Sequence, residues 1–141
     1  DATVYSYIME KLKGRFIVDA CGDLFKNTLL KRPFIVKPNH IELGEIFNCQ
    51  INSFDDAFKY GERLCLMGAM TVIVSMGKMG AVFVNGNEKY AIKANKIEVK
   101  NTVGAGDSMV AGFIHSIVNG ADYKTALEFA EKVAENKISS I

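Results

Sequence analysis

The residues best suited to chemistry lie in segment 101–113, which reads Asn-Thr-Val-Gly-Ala-Gly-Asp-Ser-Met-Val-Ala-Gly-Phe. Three small residues, 104–106, come directly before the acid Asp107, and an apolar helical pattern follows. The first N–H groups of a helix lack intrahelical partners, and the helix dipole adds about half a positive charge there. The segment therefore predicts an anion site, suited to a phosphoryl group, with the Asp107 carboxylate beside it.

Other glycine-rich motifs do not fit this segment. A dinucleotide fingerprint requires glycine where Met109 stands, and a nucleophile elbow requires glycine where Val110 stands. A Walker loop requires Gly-Lys followed by Ser or Thr, which occurs nowhere in the chain. Two interpretations stay open from the residues alone: an anion site with an embedded acid, or a tight turn whose Asp107 only caps the next helix.

The elements that would position this segment alternate between strand and helix. Short apolar runs predict strands at 15–19, 33–36 and 70–75. Amphipathic spacing predicts helices at 4–12, 23–31, 39–47, 53–67, 106–118 and 123–136. Ser53 with Asp56 three residues on resembles a capping box, and Asp122 is the predicted N-cap of the last helix. Asn85-Gly86-Asn87 predicts a hairpin turn between 81–84 and 89–92, and 97–99 reads as a short extended piece. This alternation predicts a three-layer α/β fold with an antiparallel hairpin at one edge.

Polar side chains also follow two of the predicted strands. Lys37, Asn39 and Glu42 come after the second strand, and Ser75 ends the third. Functional loops of α/β sheets lie at the carboxyl ends of their strands. An amide and a carboxylate three residues apart at a helix start share a face and suit a hydrated Mg²⁺ ion, although a solvated helix face has the same spacing. Lys37 suits either a phosphate contact or an ordinary surface position.

Composition and charge narrow the class of protein. The 141 residues suit one domain, and the formal net charge of +1 gives no support to a nucleic-acid partner or a membrane surface patch. The longest apolar runs have the length of strands rather than of membrane spans. The cysteines Cys21, Cys49 and Cys65 form no Cys-x-x-Cys pair, so we expect reduced thiols in a cytoplasmic protein and no zinc site.

Three motifs, in this order along the chain, resemble those of the ribokinase-like (PfkB) carbohydrate kinases. They are Lys37-Pro38-Asn39-x-x-Glu42, Ser75-Met76-Gly77-x-x-Gly80 and Thr-Val-Gly-Ala-Gly-Asp-Ser at 102–108. The resemblance covers essentially the whole chain and is strongest to the branch that acts on phosphosugars. It implies a partial three-layer α/β/α ribokinase-like fold, in which residues 1–141 are the carboxyl-terminal, nucleotide-binding part of one kinase domain without its amino-terminal half and lid.

The resemblance also implies an activity and a set of site residues. The activity is ATP-dependent phosphoryl transfer to a phosphosugar hydroxyl, with ATP and Mg²⁺ as cofactors. Asp107 corresponds to the catalytic base, and the backbone of Gly104, Ala105 and Gly106 corresponds to the anion hole. Asn39 and Glu42 correspond to the metal site. The other expected nucleotide-binding residues are Lys37, Ser75, Gly77, Gly80, Thr102, Ile97 and Asn136.

The chain starts inside what resembles a larger domain, so we expect a fragment of a cytoplasmic, homodimeric kinase that is inactive on its own. A sheet without its amino-terminal strands would expose an edge and apolar surface, which predicts association or low stability. Two other classes stay open: a nucleotide-binding module without catalysis, and a scaffold that binds no nucleotide. The presence of Asp107 together with Asn39 and Glu42 argues against a scaffold.

Overall fold

Strands and helices alternate through residues 17–18, 22–94 and 105–139, which are the residues that the computed structural model describes. The strands are β1 Ile17–Val18, β2 Ile35–Val36, β3 Thr71–Ser75, β4 Gly80–Asn85 and β5 Lys89–Lys93. The helices are α1 Gly22–Leu29, α2 His40–Phe47, α3 Phe54–Leu66, α4 Ala105–Val118 and α5 Tyr123–Ser139. A 3₁₀ turn, Gly77–Met79, joins β3 to β4.

The five strands form one sheet in the order β1-β2-β3-β4-β5. β1 pairs with β2 in parallel, with Ile17 opposite Ile35, and β2 pairs with β3 in parallel, with Val36 opposite Val72. Residues 76–79 are too few for a parallel crossover, so β4 returns antiparallel to β3 and continues through a short turn into β5. The predicted parallel sheet with an antiparallel hairpin at one edge is confirmed.

The chain divides into two units, and the first contains Asp1–Met76 and Val82–Lys89. Its core lies on β2 and β3, where Ile35, Val36 and residues 72–74 are fully buried. Such continuous apolar burial is typical of parallel strands covered on both faces. α3 packs against this sheet through Gly61, where an added Cβ would lie 3.1 Å from a methyl carbon of Val84. A larger residue at this position would require the Val84 side chain to shift by a few tenths of an ångström.

Side-chain caps fix the starts of two helices. At α3 the Ser53 hydroxyl accepts the Asp56 amide N–H at 3.1 Å, as the sequence predicts. The Asp56 carboxylate accepts the N–H of Asn52 at 3.0 Å, so the predicted capping box closes onto the residue before the cap. These hydrogen bonds lower the pKa of Asp56. At α5 the Asp122 carboxylate accepts the Thr125 N–H at 2.7 Å, which confirms the predicted cap.

Two helix ends differ from the sequence prediction. α1 ends at Leu29, two residues early, because the amides of Lys31 and Arg32 bond to the carbonyls of Thr28 and Leu29, both at 3.0 Å. Arg32 then takes a left-handed backbone conformation with φ of 52°, which an α-helix does not allow. α5 extends three residues past the predicted end and finishes at Ser139. The predicted helix at 4–12 and the extended piece at 97–99 lie outside the described residues.

The second unit contains Gly77–Ala81 and Tyr90–Ile141, and its helices α4 and α5 form a close pair. Gly112 of α4 permits the contact, because a Cβ there would lie 3.2 Å from Val133 and 3.4 Å from the Ala130 Cα. Phe113 of α4 is buried and stacks with Tyr123 at a centroid distance of 6.4 Å. Among the described helices, none combines the length and apolar character needed to cross a bilayer.

The hairpin of β4 and β5 depends on glycine at position 80. Gly80 has φ of +123°, a conformation that residues with a Cβ rarely adopt. A Cβ there would collide with the Ile92 carbonyl and lie 2.7 Å from the Ala94 nitrogen, both on backbone of the facing strand and its end. The Ala94 N–H donates to the Met79 carbonyl at 3.1 Å beside this contact. The backbone there leaves no room for a side chain.

We therefore expect Gly80→Ala to lower the free energy of unfolding by about 2–4 kcal/mol, since it combines backbone strain with a backbone collision. Gly86→Ala is the matched control in the same hairpin, because a Cβ at Gly86 meets no atom within 4 Å. The control should stay within about 0.5 kcal/mol of the unchanged chain. Denaturant unfolding of both variants measures the difference, and equal losses would contradict this explanation of Gly80.

Candidate functional site

The carboxyl ends of β2 and β3 lie side by side and bring two of the sequence motifs together. Asn39, three residues after β2, forms a parallel bridge with Ser75 at the end of β3. The Ser75 N–H donates to the Pro38 carbonyl at 3.2 Å. Because parallel strands end at the same edge of a sheet, pairing at Val36 and Val72 carries Asn39 next to Ser75. The sequence named both residues, and the structure makes them neighbours.

Asn39 and Glu42 form a reciprocal capping box at the start of α2. The Asn39 side-chain oxygen Oδ1 accepts the Glu42 N–H at 2.8 Å. The Glu42 carboxylate oxygen Oε2 accepts the Asn39 N–H at 2.9 Å. Asn39 has an extended backbone, with φ of −79° and ψ of 171°, so it is the N-cap residue rather than part of the helix. One oxygen of each side chain is therefore committed to the local backbone.

Glu42 has a second carboxylate oxygen that is available to bind a ligand. Its Oε1 accepts no hydrogen bond from any described residue, and the side chain is half-buried. No three His, Cys, Asp or Glu side chains in the described part of the chain lie together as a metal cluster. Mg²⁺ does not require such a cluster, because it keeps several water ligands and binds phosphate oxygens through one or two carboxylates. The Glu42 carboxylate fits this requirement as a single protein ligand.

Lys37 is not an ordinary surface lysine. It comes directly after β2 and is only 8% exposed. Charged lysines are rarely buried unless they are paired, yet the Lys37 ammonium makes no ion pair with a described residue. It lies between β2 and the capping box, and the expectation that it contacts a phosphate stays a prediction.

The glycine motif after β3 contains two glycines in unusual backbone conformations. Gly77 has φ of 57° and begins the 3₁₀ turn that leaves the strand, where it is exposed. Gly80 is buried and required by the hairpin. The sequence named both as nucleotide-binding residues. The structure gives Gly80 an architectural role, and it leaves Gly77 at an exposed turn that a ligand can approach.

Residues 105–107, which include Asp107, form the first turn of α4. The helix begins at Ala105, so the backbones of Gly106 and Asp107 lie in its first turn, one residue earlier than the sequence predicts for the start. The amide groups of this turn have no intrahelical acceptors, which is the property the anion-site prediction requires. Asn136 lies within α5. Ile97, Thr102 and Gly104 lie outside the described residues.

Two buried carboxyl groups on α5 were not predicted as special. Glu131 and Glu135 are 6% and 7% exposed, and the Glu131 Oε2 atom has no hydrogen-bond partner among the described residues. Burial, followed by the charge of Glu135, raises the pKa of Glu131 to about 7. A Glu pair four residues apart on a helix is usually solvated, so the sequence carried no signal for this burial.

The family comparison assigns the chain to a class. The model of the family described as "pfkB family carbohydrate kinase" matches residues 11–141. Since this is nearly the whole chain, the chain belongs to the pfkB family of carbohydrate kinases. The family resemblance drawn from the three motifs is therefore confirmed.

Individual relatives agree with this assignment. The 1-phosphofructokinase of Borreliella burgdorferi is 35% identical over 116 residues, which are 82% of this chain and 38% of that protein. The 1-phosphofructokinase of Bacillus subtilis is 40% identical over 116 residues, 80% of this chain and 38% of that protein. The crystal structure of phosphofructokinase-2 from Escherichia coli in complex with substrates and products has a TM-score of 0.86 at 27% identity, covering 97% of this chain and 46% of that chain.

These values confirm the predicted partial ribokinase-like fold, and they also show its extent. The chain spans about two fifths of the length of the two 1-phosphofructokinases that it matches.

The Glu131 carboxyl predicts a pH dependence of stability. Its pKa is about 7 in the folded chain and near 4.5 when unfolded, so the folded state retains a proton between these values. Stability should therefore fall as pH rises from about 4.5 to 7, by no more than about 3 kcal/mol. Glu131→Gln should remove this fall, because the amide stays neutral. Denaturant unfolding at about pH 5 and pH 8 measures the change.

The matched control is Glu128→Gln, which removes an exposed carboxylate from the same helix. It should retain the pH dependence of the unchanged chain. The same loss of pH dependence in both variants would show that burial of Glu131 is not its cause.

Proposed function

We propose that the protein transfers the γ-phosphoryl group of ATP to a hydroxyl of a phosphosugar, and that this chain is the carboxyl-terminal, nucleotide-binding part of the kinase domain. The observation that carries the proposal is the position of Gly106 and Asp107 in the first turn of α4, within a chain that the pfkB family model matches from residue 11 to residue 141. That position supplies unpaired amide donors and a carboxylate at one place in the sequence.

Asp107 acts on the sugar hydroxyl in this proposal. Phosphoryl transfer requires little covalent chemistry from the protein. Most of the rate acceleration therefore comes from positioning the nucleophile and from stabilising the negative charge distributed over the phosphoryl oxygens in the transition state. A carboxylate at a helix N-terminus is a weak base, because the dipole favours its charged form. Asp107 therefore orients the hydroxyl and accepts its proton as the transfer proceeds. The backbone amides of Gly104, Ala105 and Gly106 stabilise the equatorial oxygens of the phosphoryl group in transfer. Because these residues have small side chains or none, the phosphoryl group can approach the backbone closely.

The remaining motifs serve ATP and its metal. Bound Mg²⁺ would neutralise charge on the phosphates, and Glu42 would hold it through Oε1. Lys37, whose side chain is largely buried, would add a positive charge at the end of β2. The other residues that we propose to contact the nucleotide are Ser75, Gly77, Ile97, Thr102 and Asn136. The family motif also includes Gly80, but the close backbone contacts of the hairpin explain that glycine without a ligand.

The phosphosugar that we propose is fructose 1-phosphate, with fructose 1,6-bisphosphate as the product. The support is that two relatives, at 35% and 40% identity, are 1-phosphofructokinases. Tagatose 6-phosphate is the alternative within the same branch. We further propose that the intact protein is a cytoplasmic homodimer, and that this chain alone does not turn over, because it spans about two fifths of those relatives.

A nucleotide-binding module without catalysis is the alternative function. The two candidates differ in one assay. If the intact protein releases ADP from ATP only when a phosphosugar is present, it is a kinase. Binding of ATP and Mg²⁺ by calorimetry, with no turnover on fructose 1-phosphate, fructose 6-phosphate or tagatose 6-phosphate, would favour the module.

Asp107→Asn in the intact protein should lower kcat by roughly 10²–10⁴-fold, the usual range for a positioned acid or base. The affinity for ATP should change little, because Asn preserves the size of the side chain. Coupled detection of ADP measures kcat, and calorimetry measures ATP binding. An unchanged kcat would remove the proposed role of Asp107.

A further inference from the structure

We infer that Asn39 is a positioning residue that acts through Glu42, and that Glu42 alone supplies the protein oxygen for the metal. The inference deepens the proposed function and rests on it, since it concerns the Mg²⁺ site of the same reaction. It replaces the expectation, based on spacing and resemblance, that both side chains are ligands.

The capping box fixes the orientation of Glu42. The Asn39 Oδ1 atom already accepts the Glu42 N–H at 2.8 Å, and the Glu42 Oε2 atom accepts the Asn39 N–H at 2.9 Å. The two bonds close a ring that fixes the orientation of the carboxylate relative to the end of β2. Of the two Glu42 oxygens, only Oε1 has no partner among the described residues. The ring thus presents one carboxylate oxygen in a fixed direction.

The helix dipole disfavours a cation at the Asn39 side-chain oxygen. The Asn39 Oδ1 atom faces the amide groups of the first turn of α2, the positive end of the helix dipole. A cation held at this oxygen would lie against that end and be repelled by it. The Glu42 carboxylate carries a full negative charge that outweighs about half a charge from the dipole. A carboxylate is therefore the better ligand at this end of the helix.

The neighbouring strand β3 also holds Asn39 in place. Asn39 is held from the other side by its parallel bridge to Ser75, and Ser75 also bonds to the Pro38 carbonyl at 3.2 Å. The cap residue is thus anchored to β3 through its backbone and to Glu42 through its side chain. Metal-bound groups commonly depend on such outer partners for their orientation. Asn39 links the orientation of Glu42 to the edge of the sheet.

Two substitutions at Asn39 separate positioning from ligation. Asn39→Ser preserves the box, because serine is a preferred cap opposite glutamate, and Ser53 already accepts the Asp56 N–H in this way at 3.1 Å. Asn39→Ala removes the cap. If Asn39 positions Glu42, metal binding should be retained in Asn39→Ser and lost in Asn39→Ala. If Asn39 binds the metal directly, both variants should lose metal binding, since serine lacks the amide oxygen that would reach the ion.

The test uses the intact protein with ATP present. Half-saturating Mg²⁺ for activity, and Mn²⁺ affinity measured by electron paramagnetic resonance, should weaken roughly tenfold or more in Asn39→Ala and stay within about twofold in Asn39→Ser. Glu42→Gln preserves the box through the glutamine oxygen but removes the charge. It should weaken metal binding at least as much as Asn39→Ala, and leave the thermal midpoint within a few degrees of the unchanged protein.

Equal weakening in Asn39→Ser and Asn39→Ala, or unchanged Mn²⁺ affinity in Glu42→Gln, would overturn the inference. Failure of the proposed function gives a different result, namely no phosphoryl transfer to any phosphosugar by the unchanged protein. In that case the Mn²⁺ measurements still decide the role of Asn39. An unchanged protein that binds no Mn²⁺ in the presence of ATP would also overturn the inference.

Discussion

The parallel pairing of β2 with β3 is the constraint on which the first unit depends. Pairing at Val36 and Val72 brings both strands to the same edge, and the bridge between Asn39 and Ser75 extends it into the loops. The residues at this edge include the amide of Asn39, the carboxylate of Glu42 and the hydroxyl of Ser75, which the motifs single out. Burial of Ile35, Val36 and residues 72–74 stabilises the pairing, each full burial contributing about 1.5–3 kcal/mol. Apolar residues away from the site therefore place the polar ones.

Local hydrogen bonds then give these polar residues their orientation. The capping box orients Glu42, and it explains why an amide and a carboxylate occur three residues apart without requiring both to touch a metal. Gly80 illustrates the same point for the second motif, because the backbone of the facing strand accounts for it before any ligand is considered. A motif residue can thus be required by the fold, by the chemistry or by both, and its hydrogen bonds and close contacts distinguish these cases.

Much of this arrangement could be predicted from the sequence. Apolar runs and caps gave the strands, the hairpin and the helix starts at Ser53 and Asp122, because these depend on short-range chemistry. The family motifs gave the class of protein. The reciprocal bonds of Asn39 and Glu42 and the burial of Glu131 could not be predicted, since side-chain direction and tertiary packing decide them. The early end of α1 reflects the left-handed Arg32, a conformation that no residue type there demands.

We propose that the carboxyl ends of β2 and β3 receive the phosphates of a nucleotide and its metal. Titration of the isotope-labelled 141-residue chain with ATP and Mg²⁺, followed by amide nuclear magnetic resonance, tests it most directly. We expect the amide signals of Asn39, Glu42 and Ser75 to shift, and the signal of Asn87, in the hairpin turn at the opposite end of β4, to stay unchanged. Shifts confined to the hairpin turn, or no shifts at saturating nucleotide, would show that the nucleotide does not bind at these strand ends.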